Sequence, residues 1–277
     1  MNRIKERALK LSETLENLYP NEHATTVAWW LLEKVTQKNK ALLLVSSDTL
    51  TQEQETQLKK WKQLLIEENY PLQYILETVP FGSLELFVEP PTLIPRPETE
   101  TWCANLIELL KKEAGSSCYA QDDDIRVLDM CTGSGCIGLW IAKELPHATV
   151  HLVDISEKAI ALAQKNANHN DIKNIKIIQS DLFKNFDNQI KYDIIISNPP
   201  YVTENEWQAL EPHVKNWEDK NALVADDNGL LLYKRITKEA ENFLKDTQDK
   251  EIPHIVFEIG AQQAHDVQNV LEKAEYT

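Results

Sequence analysis

The first seventy residues place apolar side chains at helical spacing, Ile4, Ala8, Leu11, Leu15 and Leu18 among them, with no strand-like alternation of any length. The pattern predicts a small all-helical unit over residues 1–70. Its second long helix, about Thr51 to Glu68, carries Leu58, Trp61, Leu64 and Leu65 on one face. Val27, Trp29, Trp30, Leu31 and Leu32 form its most apolar stretch, and core packing is the expected use of the tryptophan pair. Residues 71–97 hold six of the twelve prolines and an alternating Leu84, Leu86 and Val88, which reads as an extended linker carrying a β-hairpin. From Glu98 to the end at 277 the period changes again. A helix near 99–113 precedes IRVLDM, a glycine turn and helix, TVHLVD, a helix near 156–169, NIKIIQ and YDIIIS. A helix near 229–245, HIVFEIG and a helix near 261–274 follow. Helix and strand in strict alternation predict an α/β, doubly wound parallel sheet with ligands at the carboxyl ends of its strands.

Charge narrows the classes of function. The 44 acidic against 29 basic side chains leave a net charge of −15, a field that repels phosphate backbones and membrane anions alike. No apolar run approaches the roughly 20 residues of a membrane-spanning helix, so a cytoplasmic protein is expected, with neither membrane nor nucleic acid as a direct partner. Cys103, Cys118, Cys131 and Cys136 lack CxxC spacing and are read as reduced thiols, and no histidine spacing points to a metal. The acidic run Asp122 to Asp124 reads as a solvated loop.

Glycine is scarce, seven in 277 residues where about 19 would be usual, yet Gly133, Gly135 and Gly138 lie together between a strand and a helix. They satisfy G-x-G-x-x-G, and Asp154 ends the next strand where a carboxylate can take both hydroxyls of a ribose. A nicotinamide dinucleotide and S-adenosylmethionine compete for such a loop. Asp129, ending the first strand, would repel a pyrophosphate but suit an ammonium and a sulfonium. Asp181, after the third strand, is placed for the adenine end with Leu182 as an apolar wall. Acids at three successive strand ends favour the methyl donor.

The fourth strand runs into Asn198-Pro199-Pro200-Tyr201. An amide or exocyclic amine nitrogen is a poor nucleophile because its lone pair is delocalised, and two acceptors are needed to hold its protons and aim that pair. The side-chain carbonyl of Asn198 and the backbone carbonyl of Pro199 are candidates, with the prolines fixing their directions and Tyr201 offering a flat stacking face.

Together the helical start, IPRPETE, LDMCTGSGCIG, VDIS, SDLF, SNPPYV and FEIG resemble the protein-(glutamine-N5) methyltransferases that modify class-I peptide chain release factors. The resemblance covers nearly the whole chain from about residue 5. It implies a class-I, Rossmann-like S-adenosylmethionine-dependent methyltransferase sheet with a small helical N-terminal domain that docks the release factor, and transfer to the glutamine of a GGQ loop. Cofactor-binding roles then fall on Cys131, Thr132, Gly133, Ser134, Gly135, Asp154, Leu182 and Asn198, with S-adenosylhomocysteine as product. The NPPY turn holds the glutamine, and Arg96, Pro97, Glu98 and Thr99 border the pocket. Cys131 stands where many members have glycine, and KDTQDKEIP replaces a PGG turn. The family's antiparallel strand pair after the last helix has no counterpart here, which leaves HIVFEIG as an expected open edge.

Two rival functions share these residues. An adenine-N6 nucleic-acid methyltransferase faces the same problem of a planar amine, and the acidic charge speaks against it. An inactive cofactor-binding interaction protein is the other.

Overall fold

The computed structural model describes residues 3–20, 22–114, 125–187, 189–245 and 252–276; Cys118 and the run Asp122 to Asp124 lie outside them. The chain divides into two compact units, Met1–Glu77 with Pro212–Trp217, and Thr78–Glu211 with Glu218–Thr277.

In the first unit α1 (Arg3–Leu15), α2 (Glu22–Thr36), α3 (Lys40–Val45), α4 (Gln52–Glu67) and α5 (Leu72–Leu76) follow one another. The polar residues before α3 and α4 start them: Asn39 accepts the Leu42 N–H, and Thr51 with Gln54 closes a reciprocal capping box. Ile4, Ala8, Leu11 and Leu15 pack with Val27, Leu31, Leu32, Leu58 and Leu65. Trp29 joins this core, but Trp30 is 46% exposed, against the expectation that both are buried. Successive helical residues point about 100° apart, so one core-facing stripe does not hold both rings. Leu18 falls beyond the end of α1 and is also exposed.

The second unit opens with a two-stranded antiparallel hairpin, β1 (Thr78–Phe81) and β2 (Leu84–Phe87), closed by Gly82 at a φ of 56°. Then come α6 (Pro97–Ala114), β3 (Arg126–Met130), α7 (Cys136–Glu144), β4 (Thr149–Asp154), α8 (Glu157–His169), β5 (Ile175–Gln179) and β6 (Ile194–Ser197). The remainder is α9 (Glu204–Ala209), α10 (Pro212–Lys215), α11 (Leu231–Ala240), β7 (Ile255–Phe257) and α12 (Ala264–Lys273). Of these, α10 belongs to the helical unit, where the Trp217 indole N–H donates to the Glu68 carbonyl at 3.0 Å and the ring meets Tyr70 edge-on. Nothing in the local sequence announces that return.

The five strands β3 to β7 form one parallel sheet in the order β5-β4-β3-β6-β7, the Rossmann-like arrangement of class-I methyltransferases. Val127, Val150, Leu152, Ile194 and Ile196 fill the core on one face and Leu128, Met130, Val153 and Ile195 on the other, as buried parallel strands require. The order reverses between β3 and β6, so a crevice opens there at the carboxyl ends. Among the described residues no strand follows α12, and β7 stands at the sheet edge.

Candidate active site

Register decides which residues meet. Met130 pairs with Val153 and with Ser197, and Ser197 with Phe257. The strand ends are therefore level, and Cys131, Asp154, Asn198 and Glu258 leave the sheet along one rim. The Ser197 hydroxyl donates to the Met130 carbonyl at 2.7 Å and closes the switch point beneath it.

A crevice of about 540 Å³ lies on this rim, lined by Cys131, Gly133, Asp154, Asp181, Leu182, Asn198 and Pro200 among others. Asp154 accepts the Gly133 N–H at 2.9 Å on one oxygen and the Ser156 N–H at 2.9 Å on the other, which joins the glycine loop to the end of β4. Burial raises its pKa against the pull of those bonds. Each oxygen keeps a lone pair for a further donor such as a ribose hydroxyl. Ile155, 66% exposed, and Leu182 supply apolar surface for a base. These donors and walls fit a nucleoside cofactor. Cys131 and Leu182 both sit in left-handed backbone, φ 61° and 51°, so exchanging glycine for cysteine at 131 carries a conformational cost as well as a change of size.

Not every expected residue reaches the crevice. Asp129 is fully buried and does not line it. One of its oxygens accepts the Thr132 hydroxyl at 2.5 Å and the Gly138 N–H at 2.9 Å, while its other oxygen has no partner among the described residues. Side chains alternate along β3, so if Met130 faces the crevice Asp129 faces α7; it fastens the glycine loop from below and does not meet an ammonium. Burial pushes its pKa up to about 7, the two donors pull it down, and Asp154 adds to the rise. Thr132 and Ser134 are likewise buried, and Gly135 caps α7 at a φ of 85°. Their part is to shape the loop, while Cys131 and Gly133 present it.

Asp181 lines the crevice with its carboxylate already engaged, by Lys184 at 2.5 Å and by Arg235 of α11 at 2.8 Å. Those two cations hold its pKa below the usual carboxylate range. Arg235, which also lines the crevice, carries no signal in the sequence around it.

The NPPY turn stands between two spaces. Asn198 and Pro200 line the crevice, whereas Tyr201 lines a neighbouring cavity of about 970 Å³ with Arg96, Glu98, Trp102, Glu206 and Glu258. Pro199 is buried and is not among the residues that line either space. The Tyr201 and Val202 N–H groups both donate to the Leu223 carbonyl, at 3.0 and 2.8 Å. Of the pocket-border residues, Arg96 donates from one guanidinium nitrogen to both carboxylate oxygens of the buried Glu218, at 2.8 and 2.7 Å, and Thr99 donates to Glu258 at 2.6 Å. Glu98 is exposed at the cavity and Pro97 only opens α6.

Residues 10–76 match the family described as PrmC N-terminal domain, and residues 106–216 that described as Methyltransferase small domain. The release factor glutamine methyltransferase of Flavobacterium psychrophilum is 34% identical over 273 residues, which cover 98% of this chain and 91% of that protein. Its counterpart in Fusobacterium nucleatum is 37% identical over 244 residues, 88% of this chain and 65% of that protein. A ribosomal protein uL3 glutamine methyltransferase of Francisella tularensis is 39% identical over 175 residues, 63% of this chain and 53% of that protein. On the strength of a match that runs through both units and nearly the full length of a relative, the chain belongs to the release factor glutamine methyltransferase family.

Proposed function

We propose that this protein transfers the methyl group of S-adenosylmethionine to the side-chain amide nitrogen of the glutamine in the GGQ loop of peptide chain release factors, leaving S-adenosylhomocysteine. One observation carries the reading. The turn Asn198 to Tyr201 separates a crevice suited to a nucleoside from a second cavity open to an acceptor.

Asp154 would hold the ribose, Cys131 and Gly133 the amino-acid end, and Leu182 with Ile155 the base; when bound, the cofactor supplies an electrophilic methyl carbon on a cationic sulfur. Asp154 and Asp219 also line the crevice and suit that positive charge. The acceptor amide enters past Tyr201. Its two N–H groups meet the Asn198 side-chain carbonyl and the Pro199 backbone carbonyl, which turns the nitrogen lone pair toward the crevice. Held so, the nitrogen would take the methyl carbon as the carbon–sulfur bond of the bound donor broke, neutral S-adenosylhomocysteine would be left in the crevice, and the nitrogen, made acidic by the new bond, would release one proton to solvent. No strong base is needed.

The uL3 relative shares amide chemistry, so the catalytic turn alone does not choose the acceptor. The match of residues 10–76 to the PrmC N-terminal domain supports a release factor, with the helical unit as its docking surface. The described cysteines, Cys103, Cys131 and Cys136, are free thiols, as suits the reducing cytoplasm.

The test is a transfer assay with labelled methyl donor, intact release factor, and the same factor with its GGQ glutamine replaced by alanine. Label on the first alone is the expected result. Label on uL3 or on adenine in oligonucleotides, with none on the release factor, would replace this reading.

A further inference from the structure

The NPPY turn has an unusual deficit of fastenings. Pro199 and Pro200 have no N–H to donate, so the middle of the turn must be held through its two ends. Leu223 takes the N–H groups of Tyr201 and Val202, while the carbonyls at the two ends, those of Ser197 and Tyr201, are both taken by one short segment, residues 258–263, between β7 and α12.

At the far end the Tyr201 carbonyl accepts the side-chain amide of Gln263 at 3.0 Å. The orientation of that amide is fixed, because the Gly260 N–H donates to its oxygen at 3.1 Å while its nitrogen also reaches the Asn228 carbonyl at 3.3 Å. Gly229, at a φ of 80°, closes the other side of the same carbonyl: a Cβ there would lie 2.1 Å from the Tyr201 oxygen and 2.6 Å from the Gln263 amide nitrogen. At the near end the Glu258 N–H donates to the Ser197 carbonyl at 3.0 Å. The Glu258 carboxylate takes the Thr99 hydroxyl and the Trp102 indole N–H, at 2.6 and 2.9 Å. Its carbonyl takes the Tyr233 hydroxyl at 2.8 Å. Asn198 and Pro199 thus hang between two anchors set five positions apart on one loop.

We propose that Gln263, with Glu258 at the opposite end, is a positioning residue for methyl transfer: it sets the direction of the Pro199 carbonyl by holding the Tyr201 carbonyl from behind. The inference rests on Asn198 and Pro199 being the acceptors of the amide protons. Gln263 and Glu258 also line the acceptor cavity, but their polar atoms are spent on the turn and on α6, so their loss changes aim and leaves the binding of the cofactor in the neighbouring crevice alone. Misplacement of a reacting group by about 1 Å costs on the order of a hundredfold in rate.

Gln263→Glu keeps the length of the side chain and puts an oxygen where the amide nitrogen faced two carbonyls; Gln263→Leu removes the donor without adding charge. For both, kcat on release factor should fall by about tenfold or more, with calorimetric affinity for S-adenosylhomocysteine within about twofold of wild type. Amide hydrogen exchange at Tyr201 and Val202 should quicken while β3 and β4 keep their protection. Wild-type kcat in both variants, or exchange unchanged at Tyr201, overturns the brace. So does a parallel loss of kcat, cofactor affinity and protection throughout the sheet, since that is general loosening. A wild-type protein that methylates no release factor overturns the proposed function instead, and the exchange comparison still decides whether Gln263 holds the turn.

Discussion

At Asp154 both carboxylate oxygens already hold the local backbone, and the same oxygens are the expected ribose contacts. Asp154→Ala should therefore weaken S-adenosylhomocysteine by about 1–3 kcal/mol, read by calorimetry, and an unchanged affinity would remove the ribose role. Asn198→Ala should cut transfer by about a hundredfold, well beyond its effect on that affinity, to which Asn198 contributes as one wall of the crevice. Asp129 makes a different prediction, because a buried acid raised to about 7 binds its proton more tightly in the folded chain than in the unfolded one. Its contribution to stability is full below about pH 4, the ordinary aspartate value, and is lost as pH rises toward 7. Urea unfolding of wild type and Asp129→Asn at pH 5 and pH 8 should show the variant gaining about 2 kcal/mol on wild type across that interval. A constant difference would mean the acid is ionised at both.

At the scale of elements, the alternation of strand and helix was legible from residue 98 onward because short stretches rich in Val, Leu and Ile, such as TVHLVD and IIIS, recur between segments of helical period. Cys131, Asp154 and Asn198 could be brought together from sequence alone, since parallel strands in level register share a rim. The misplacement of Asp129 had its correction in the same five letters, RVLDM, where a strand period of two sets Met130 and Asp129 on opposite faces. No such signal existed for Arg235, Glu218 or Gln263, which reach Asp181, Arg96 and Tyr201 across 54, 122 and 62 positions of chain. Trp30 was misread for the reverse reason: hydrophobicity without angular position does not tell which of two neighbours faces inward. Its exposure, with that of Val45 at 84% and Leu42 at 54%, gives the helical unit apolar surface beyond its core. If that unit docks the release factor, Val45→Glu and Trp30→Glu should each raise KM for the intact factor several-fold and leave the rate on a short GGQ peptide unaltered. Equal effects on both substrates would place docking elsewhere.

For the molecule as a whole, the rival acceptor is decided by the field around the site. An adenine amine presents the NPPY turn with the same two protons as a glutamine amide, so geometry at Asn198 does not separate them. A nucleic acid, however, brings its phosphates to a chain of net charge −15, and among the described residues that line the acceptor cavity Arg96 is the one cation on which counterion release could draw. The cavity wall carries Glu98, Glu206 and Glu258, and its Arg96 is already paired with Glu218. A phosphate entering there would meet three carboxylates before it met an available guanidinium. Single-stranded adenine-containing DNA and RNA, added at about a hundredfold excess over release factor in moderate salt, should therefore neither accept label nor slow transfer to the glutamine. Lowering the salt should not change this, because screening relieves repulsion and its removal strengthens it. Competition that grows as salt is lowered would reveal a basic path to the site and return the adenine reading to first place.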